Sequence, residues 1–112
     1  MPRKFERESD VEAYLVERVK ALGGEIRKVT FIGHNGCPDR LVMLPYREDF
    51  IPGSTLPPTT LWIEVKAPGL AAKFPSNPHE RAQAREHDRL RAVGQSVYVV
   101  DSPEGVDACL GS

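Results

Sequence analysis

Asp39, Glu64 and Lys66 are the residues of this chain whose types and spacing could do chemistry. Asp39 follows Pro38, and Glu64 and Lys66 stand two apart in Ile63-Glu64-Val65-Lys66. Successive side chains of a strand alternate between faces, so Glu64 and Lys66 project from one face and Ile63 and Val65 from the other. If the run Leu41–Leu44 pairs with a strand Leu61–Ala67, Asp39 at the mouth of one approaches Glu64 on the other. Two carboxylates and a backbone carbonyl form a hard-oxygen site for Mg2+, which keeps several waters and binds substrate phosphate. An ammonium two residues on can position the attacking water and stabilise charge on the phosphate. That is the equipment for metal-assisted phosphodiester hydrolysis. The plainer alternative is a solvated cross-strand charge pair. Pro-Asp followed by Glu-x-Lys also arises by chance in roughly one unrelated chain in ten. The surroundings strengthen the chemical reading, because the strand is otherwise Leu61, Trp62, Ile63 and Val65.

The elements that must position these groups follow from periodicity and punctuation. Val11, Leu15, Val19 and Leu22 share one stripe of a helix predicted from Asp10 to Leu22. Ser9 and Glu12 fit a capping box at its start, and Gly23-Gly24 stop it. A short strand is expected over Glu25–Phe31, then a loop at Gly33-His34-Asn35-Gly36. Pro45, Pro52, Gly53, Pro57 and Pro58 make residues 45–60 a long irregular connection. The second helix is well marked by Asn77 at the N-cap, Pro78 at the first position and Glu80 three beyond the cap, and runs to about Val93 before Gly94. Ser96–Val100 reads as a strand, and Ser102-Pro103 opens a last helix ending near Leu110. The order is α-β-β-β-α-β-α, an α/β fold with a mixed central sheet flanked by helices.

Composition narrows the class. The chain has 112 residues, 40% hydrophobic and 28% charged, which suits one folded domain over residues 1–112. No apolar run approaches the roughly 20 residues that span a bilayer, and no apolar stretch follows the charged start as in a secretory leader. Two cysteines, Cys37 and Cys109, cannot build a disulfide framework or a four-cysteine zinc site. A reduced, cytoplasmic setting without membrane partners is therefore expected. Fifteen Lys and Arg against sixteen Asp and Glu give a net charge of −1, unusual for a nucleic-acid binder. A local basic face remains open: Arg81, Arg85 and Arg89 repeat at four-residue spacing on the second helix and could hold DNA phosphates. Interleaved Glu80, Glu86 and Asp88 offer the alternative of a solvated, self-paired face. Arg40, beside Asp39, Lys73, Arg27 and Lys28 are further phosphate candidates, while Cys37 has no base to make it a nucleophile.

Five linked segments now stand out: Gly36-Cys37-Pro38-Asp39-Arg40-Leu41-Val42, Glu64-Val65-Lys66-Ala67-Pro68-Gly69, Gln83-Ala84-Arg85-Glu86-His87, Leu90-Arg91-Ala92-Val93-Gly94 and Val97-Tyr98-Val99-Val100-Asp101-Ser102. In this order they closely resemble the virus-type replication-repair nuclease (VRR-NUC) domain of the PD-(D/E)xK superfamily. The resemblance runs from Glu12 to Ser102. It implies a restriction-endonuclease-like core and a Mg2+- or Mn2+-dependent endodeoxyribonuclease. By that resemblance Asp39 and Glu64 are metal ligands, with the Val65 carbonyl a third, and Lys66 is the catalytic lysine. Glu12 matches a position where the superfamily often supplies another acid, although the capping box competes for it. Gln83 matches a glutamine that faces the active site. His87, four residues on, shares its helix face and reads either as a DNA contact or as a packed core-edge residue.

Stand-alone members resemble phage proteins that act as homodimers and resolve branched DNA such as Holliday junctions. The resemblance therefore implies branched DNA as substrate, a homodimer, and the host cytoplasm if phage-encoded. A nicking or flap nuclease without junction preference, and a non-catalytic DNA-structure-binding module, are the competing readings.

Overall fold

Asp10, rather than Ser9, sets the start of the first helix. In the computed structural model, which describes residues 3–49 and 51–111, α1 spans Glu8–Ala21 with Arg7 as its N-cap. The Asp10 carboxylate accepts the backbone N–H groups of Glu6 and Arg7 at 3.0 and 2.8 Å, and these bonds hold its pKa below the usual carboxylate value. The expected capping box of Ser9 and Glu12 therefore does not form, and Glu12 is left for another partner.

The chain then enters β1 (Glu25–Lys28) and β2 (Arg40–Leu44), joined by the loop that carries Pro38 and Asp39. The 45–60 connection is more ordered than its prolines suggest. Arg47–Glu48 (β3) and Thr55–Leu56 (β4) pair antiparallel as a small hairpin, an addition to the expected element order. Next come β5 (Thr59–Val65), a 3-10 turn at Ala71–Lys73 and α2 (Pro78–Ala92). Asn77 caps α2 through its side chain, which accepts Glu80 N–H at 2.8 Å. The chain ends in β6 (Val97–Val100) and α3 (Pro103–Leu110), the latter capped by Ser102.

The central sheet has the order β1-β2-β5-β6, with β1, β2 and β5 antiparallel and β6 parallel to β5. A parallel neighbour requires a crossover connection, and here the crossover is α2. On one face Leu61, Ile63 and Val65 join Val42, Leu44 and Val100 beneath Val11, Leu15 and Val19 of α1 and Val106 and Leu110 of α3. Burying each such side chain contributes about 1.5–3 kcal/mol. The other face carries Glu64, and α2 covers it with polar side chains: the buried residues of that helix are Glu80, Gln83, Glu86 and His87. A helix that buries charges and amides against a sheet has given up apolar packing in order to organise polar groups. Among the described residues no helix is long and apolar enough to cross a membrane.

Candidate active site

The two faces of β5 divide the work. Leu61, Ile63 and Val65 fill the core, while Glu64 and, just beyond the strand, Lys66 turn toward α2. Lys66 Nζ donates to Gln83 Oε1 at 2.8 Å and pairs with Glu80 Oε2 at 3.2 Å. It also lies 5.3 Å from the centre of the Phe74 ring. Glu80 is itself held, with Oε1 accepting the Ser76 N–H at 2.9 Å and the Ser76 hydroxyl at 2.6 Å. Those two bonds, with the Lys66 ammonium, bring its pKa down to about 2 despite burial. An ammonium has three N–H donors. Gln83 and Glu80 account for two among the described residues.

Glu64 has a different environment. Its carboxylate makes no hydrogen bond to any described residue, and Oε1 is buried without a partner. The imidazole of His87 lies close by, with Nε2 3.7 Å from Oε1, too far for a hydrogen bond. Arg40 pairs with Ile63 as the last rung of the β2–β5 ladder; continued in the same register, the ladder would set Asp39 against Glu64 and Pro38 against Val65. The Asp39 carbonyl accepts the Val29 N–H at 2.9 Å, which keeps that residue in line with the sheet. Side chains directly opposite in an antiparallel pair lie on one face, with Cβ atoms typically about 5 Å apart. Pro38 has no N–H to offer the Val65 carbonyl.

The other expected site residues fall into two groups. Arg40 is buried, and its guanidinium is taken by Glu12 on α1, with Nε to Oε1 at 3.1 Å, and by Asp39 Oδ2 at 2.9 Å. It braces Asp39 rather than standing clear for DNA phosphate, and Glu12 neutralises it. His87, expected on the DNA side or at the core edge, is 0% exposed and stacks on Phe74 with ring centres 5.6 Å apart; no DNA group can reach it there. Arg81 and Arg85 are exposed, and neither has an ion-pair partner among the described residues. Arg89 is exposed but paired with Glu86 at 2.7 Å. Lys73 is exposed on the 3-10 turn.

The loop before Asp39 lies against α2. A groove lined by Gly33, His34 and Asn35 on one side and Ala82, Arg85, Glu86 and Arg89 on the other runs beside it. A second groove, which shares His34 and Asn35 with the first, reaches from Lys28 to Asp39. Burial, with the Glu86 carboxylate alongside, pushes the Cys37 thiol pKa up, consistent with no nucleophilic role.

Reasoning from sequence overlooked Glu80 as a site residue, because its place three beyond Asn77 already explained it as part of the helix start. The available signal was the spacing of Glu80, Gln83 and His87, polar residues that share the inward face of one helix.

Among the described residues, no three Asp, Glu, His or Cys side chains gather as a metal cluster. The donor set that could take a hard cation is smaller: Glu64, the buried carboxylate without a hydrogen bond, with Asp39, one residue beyond the last rung of the β2–β5 ladder, and the Val65 carbonyl. Glu12 fits less well, since Arg40 claims it.

A solved structure described as a VRR_NUC domain matches 94% of this chain and 95% of its own length, with a TM-score of 0.66 and 33% sequence identity. The chain belongs to the VRR-NUC family. A relative is also found in sequence: "Putative nuclease p44" of Acyrthosiphon pisum secondary endosymbiont phage 1 is 38% identical over 98 residues, covering 88% of this chain and 86% of the phage protein. No family model matches the chain. The mixed sheet flanked by helices matches the VRR-NUC fold expected from the sequence.

Proposed function

We propose that this VRR-NUC protein is a metal-dependent DNA endonuclease that prefers branched DNA and works as a homodimer. The observation that carries the reading is Glu64: a carboxylate with 11% of its side chain exposed and no hydrogen-bond donor, two residues from a lysine held in place by two others. A buried charge without compensation is costly, so this carboxylate, near the end of the ladder beyond which Asp39 lies, fits a site that takes up a cation.

Asp39, Glu64 and the Val65 carbonyl would hold Mg2+ or Mn2+. When bound, such an ion supplies Lewis-acid stabilisation of charge on the scissile phosphate. The chain's own groups do the rest. Gln83 and Glu80 aim the Lys66 ammonium, whose remaining N–H orients the attacking water and stabilises the phosphate oxygens. Arg40 holds Asp39 from behind through Oδ2. Arg81 and Arg85, with Lys73, contact backbone phosphates and set the duplex without reading its sequence. A homodimer presents two such centres, as paired cuts across a junction require.

The test is cleavage of a labelled four-way junction and its matched linear duplex in Mg2+, Mn2+ or EDTA. Symmetric, metal-dependent junction cuts are expected. Equal cutting of the linear duplex would replace the branched-DNA reading with a general nuclease. Junction binding with no cleavage in either metal would replace the enzyme with a binding module.

A further inference from the structure

His87 is anomalous for a buried polar residue. It is fully buried, yet neither Nδ1 nor Nε2 has a hydrogen-bond partner. Most buried polar atoms find partners, and an exception calls for a reason. The polar atom close to it is Glu64 Oε1, which is also buried and unpartnered, 3.7 Å from Nε2. Phe74, stacked on the imidazole with ring planes 20° apart, fixes the plane in which the two nitrogens lie.

We propose that His87 is a positioning residue for Glu64, with a proton on Nε2 that it donates to Glu64 Oε1. This rests on the reading of Glu64 as a site carboxylate and extends it to the group behind it. The proton's place follows from what surrounds the ring. With the proton on Nδ1 alone, a buried donor has nothing to bond and the Nε2 lone pair faces a carboxylate lone pair. With the proton on Nε2, the donor faces an acceptor, and closing the gap by about 0.8 Å gives an ordinary N–H···O bond. The consequence is directional. His87 claims Oε1 from the helix side, so Glu64 is held with Oε2, which also has no hydrogen bond, available to a ligand. Outer partners of ligating carboxylates are worth about 10–100-fold in activity or metal affinity.

Two measurements test this. Long-range 1H–15N correlation spectra of the full-length protein report which ring nitrogen of His87 carries hydrogen. The expected result is a protonated Nε2 whose hydrogen exchanges far more slowly than those of the exposed His34 and His79, and whose signal moves in Glu64→Gln. A bare Nε2 would overturn the proposal. In cleavage assays His87→Leu should lose about 10–100-fold, and His87→Gln, which restores an N–H near Nε2, should recover most of that loss. Equal losses in both variants, with both folded by circular dichroism, would also overturn it. If the parent cuts no DNA, the nuclease reading fails, and the spectrum alone decides the role of His87.

Discussion

Lys66 and Glu80 meet where β5 faces α2, Nζ to Oε2 at 3.2 Å, with only about a tenth of either side chain open to solvent (11% and 10%). Two groups so far from water cannot be incidental surface charges. Each would be costly alone, and breaking such a pair leaves the survivor uncompensated. Gln83 and Ser76 complete the arrangement from either side, so the ammonium has a fixed direction before any substrate arrives.

Glu80→Gln should therefore lower cleavage by about tenfold or more, although Glu80 touches no substrate in the proposed mechanism. The loss should fall on kcat rather than KM, because the change misdirects Lys66 and leaves the exposed arginines in place. Steady-state kinetics on a DNA substrate would check this. A variant as active as the parent would show that Gln83 alone directs the lysine.

Acid should weaken the same contact in a defined window. The Ser76 bonds and Lys66 hold the Glu80 pKa near 2 instead of the usual 4.5, so folding favours the ionised form. The stabilisation is complete above pH 4.5, declines below it, and is gone once the pH has fallen through about 2. Melting curves of parent and Glu80→Gln should thus differ by a constant amount above about pH 5 and converge toward pH 2. A difference that grows on acidification would contradict this assignment.

Much of this framework was legible in the sequence, for local reasons. Asn77-Pro78 and Ser102-Pro103 announce α2 and α3 because capping is a contact within one turn. The alternation around Glu64 revealed the two faces of β5, since strand periodicity is intrinsic to the backbone. Contacts distant in sequence stayed hidden. Nothing near Glu12 indicates that its carboxylate goes to Arg40, 28 residues away. Nothing near His87 shows that it is sealed under Phe74. The β3–β4 hairpin has two residues per strand, too few for alternation to register among four prolines.

The loop that delivers Asp39 is seated by Gly36. Its φ of +84° suits glycine, and a Cβ there would stand 2.8 Å from Ala82 O and 2.9 Å from Gln83 N. Gly36→Ala should cost about 1–3 kcal/mol, a fall in Tm of roughly 5–15 °C, because both the loop and the backbone beneath Gln83 must move. Thermal denaturation measures it. A Tm within a degree or so of the parent would mean that the loop does not bear on α2.

Arg85 should behave as a phosphate contact and Arg89 as a weaker one. Arg85→Ala should reduce DNA affinity evenly across sequences and lower the slope of log K against log salt by about one. Arg89, already paired with Glu86 at 2.7 Å, should change the slope less. Fluorescence anisotropy over a salt series distinguishes them. An unchanged slope in Arg85→Ala would place the DNA on another face.

Whether Asp39, Glu64 and Lys66 form a nuclease centre is decided most directly by comparing the parent with Lys66→Ala on labelled DNA in Mn2+ and in EDTA. The parent should cut in Mn2+ and not in EDTA. Lys66→Ala should fold and bind DNA yet cut about 10²–10³-fold more slowly. Cleavage that persists in EDTA, or a Lys66→Ala protein that cuts as fast as the parent, would contradict the assignment.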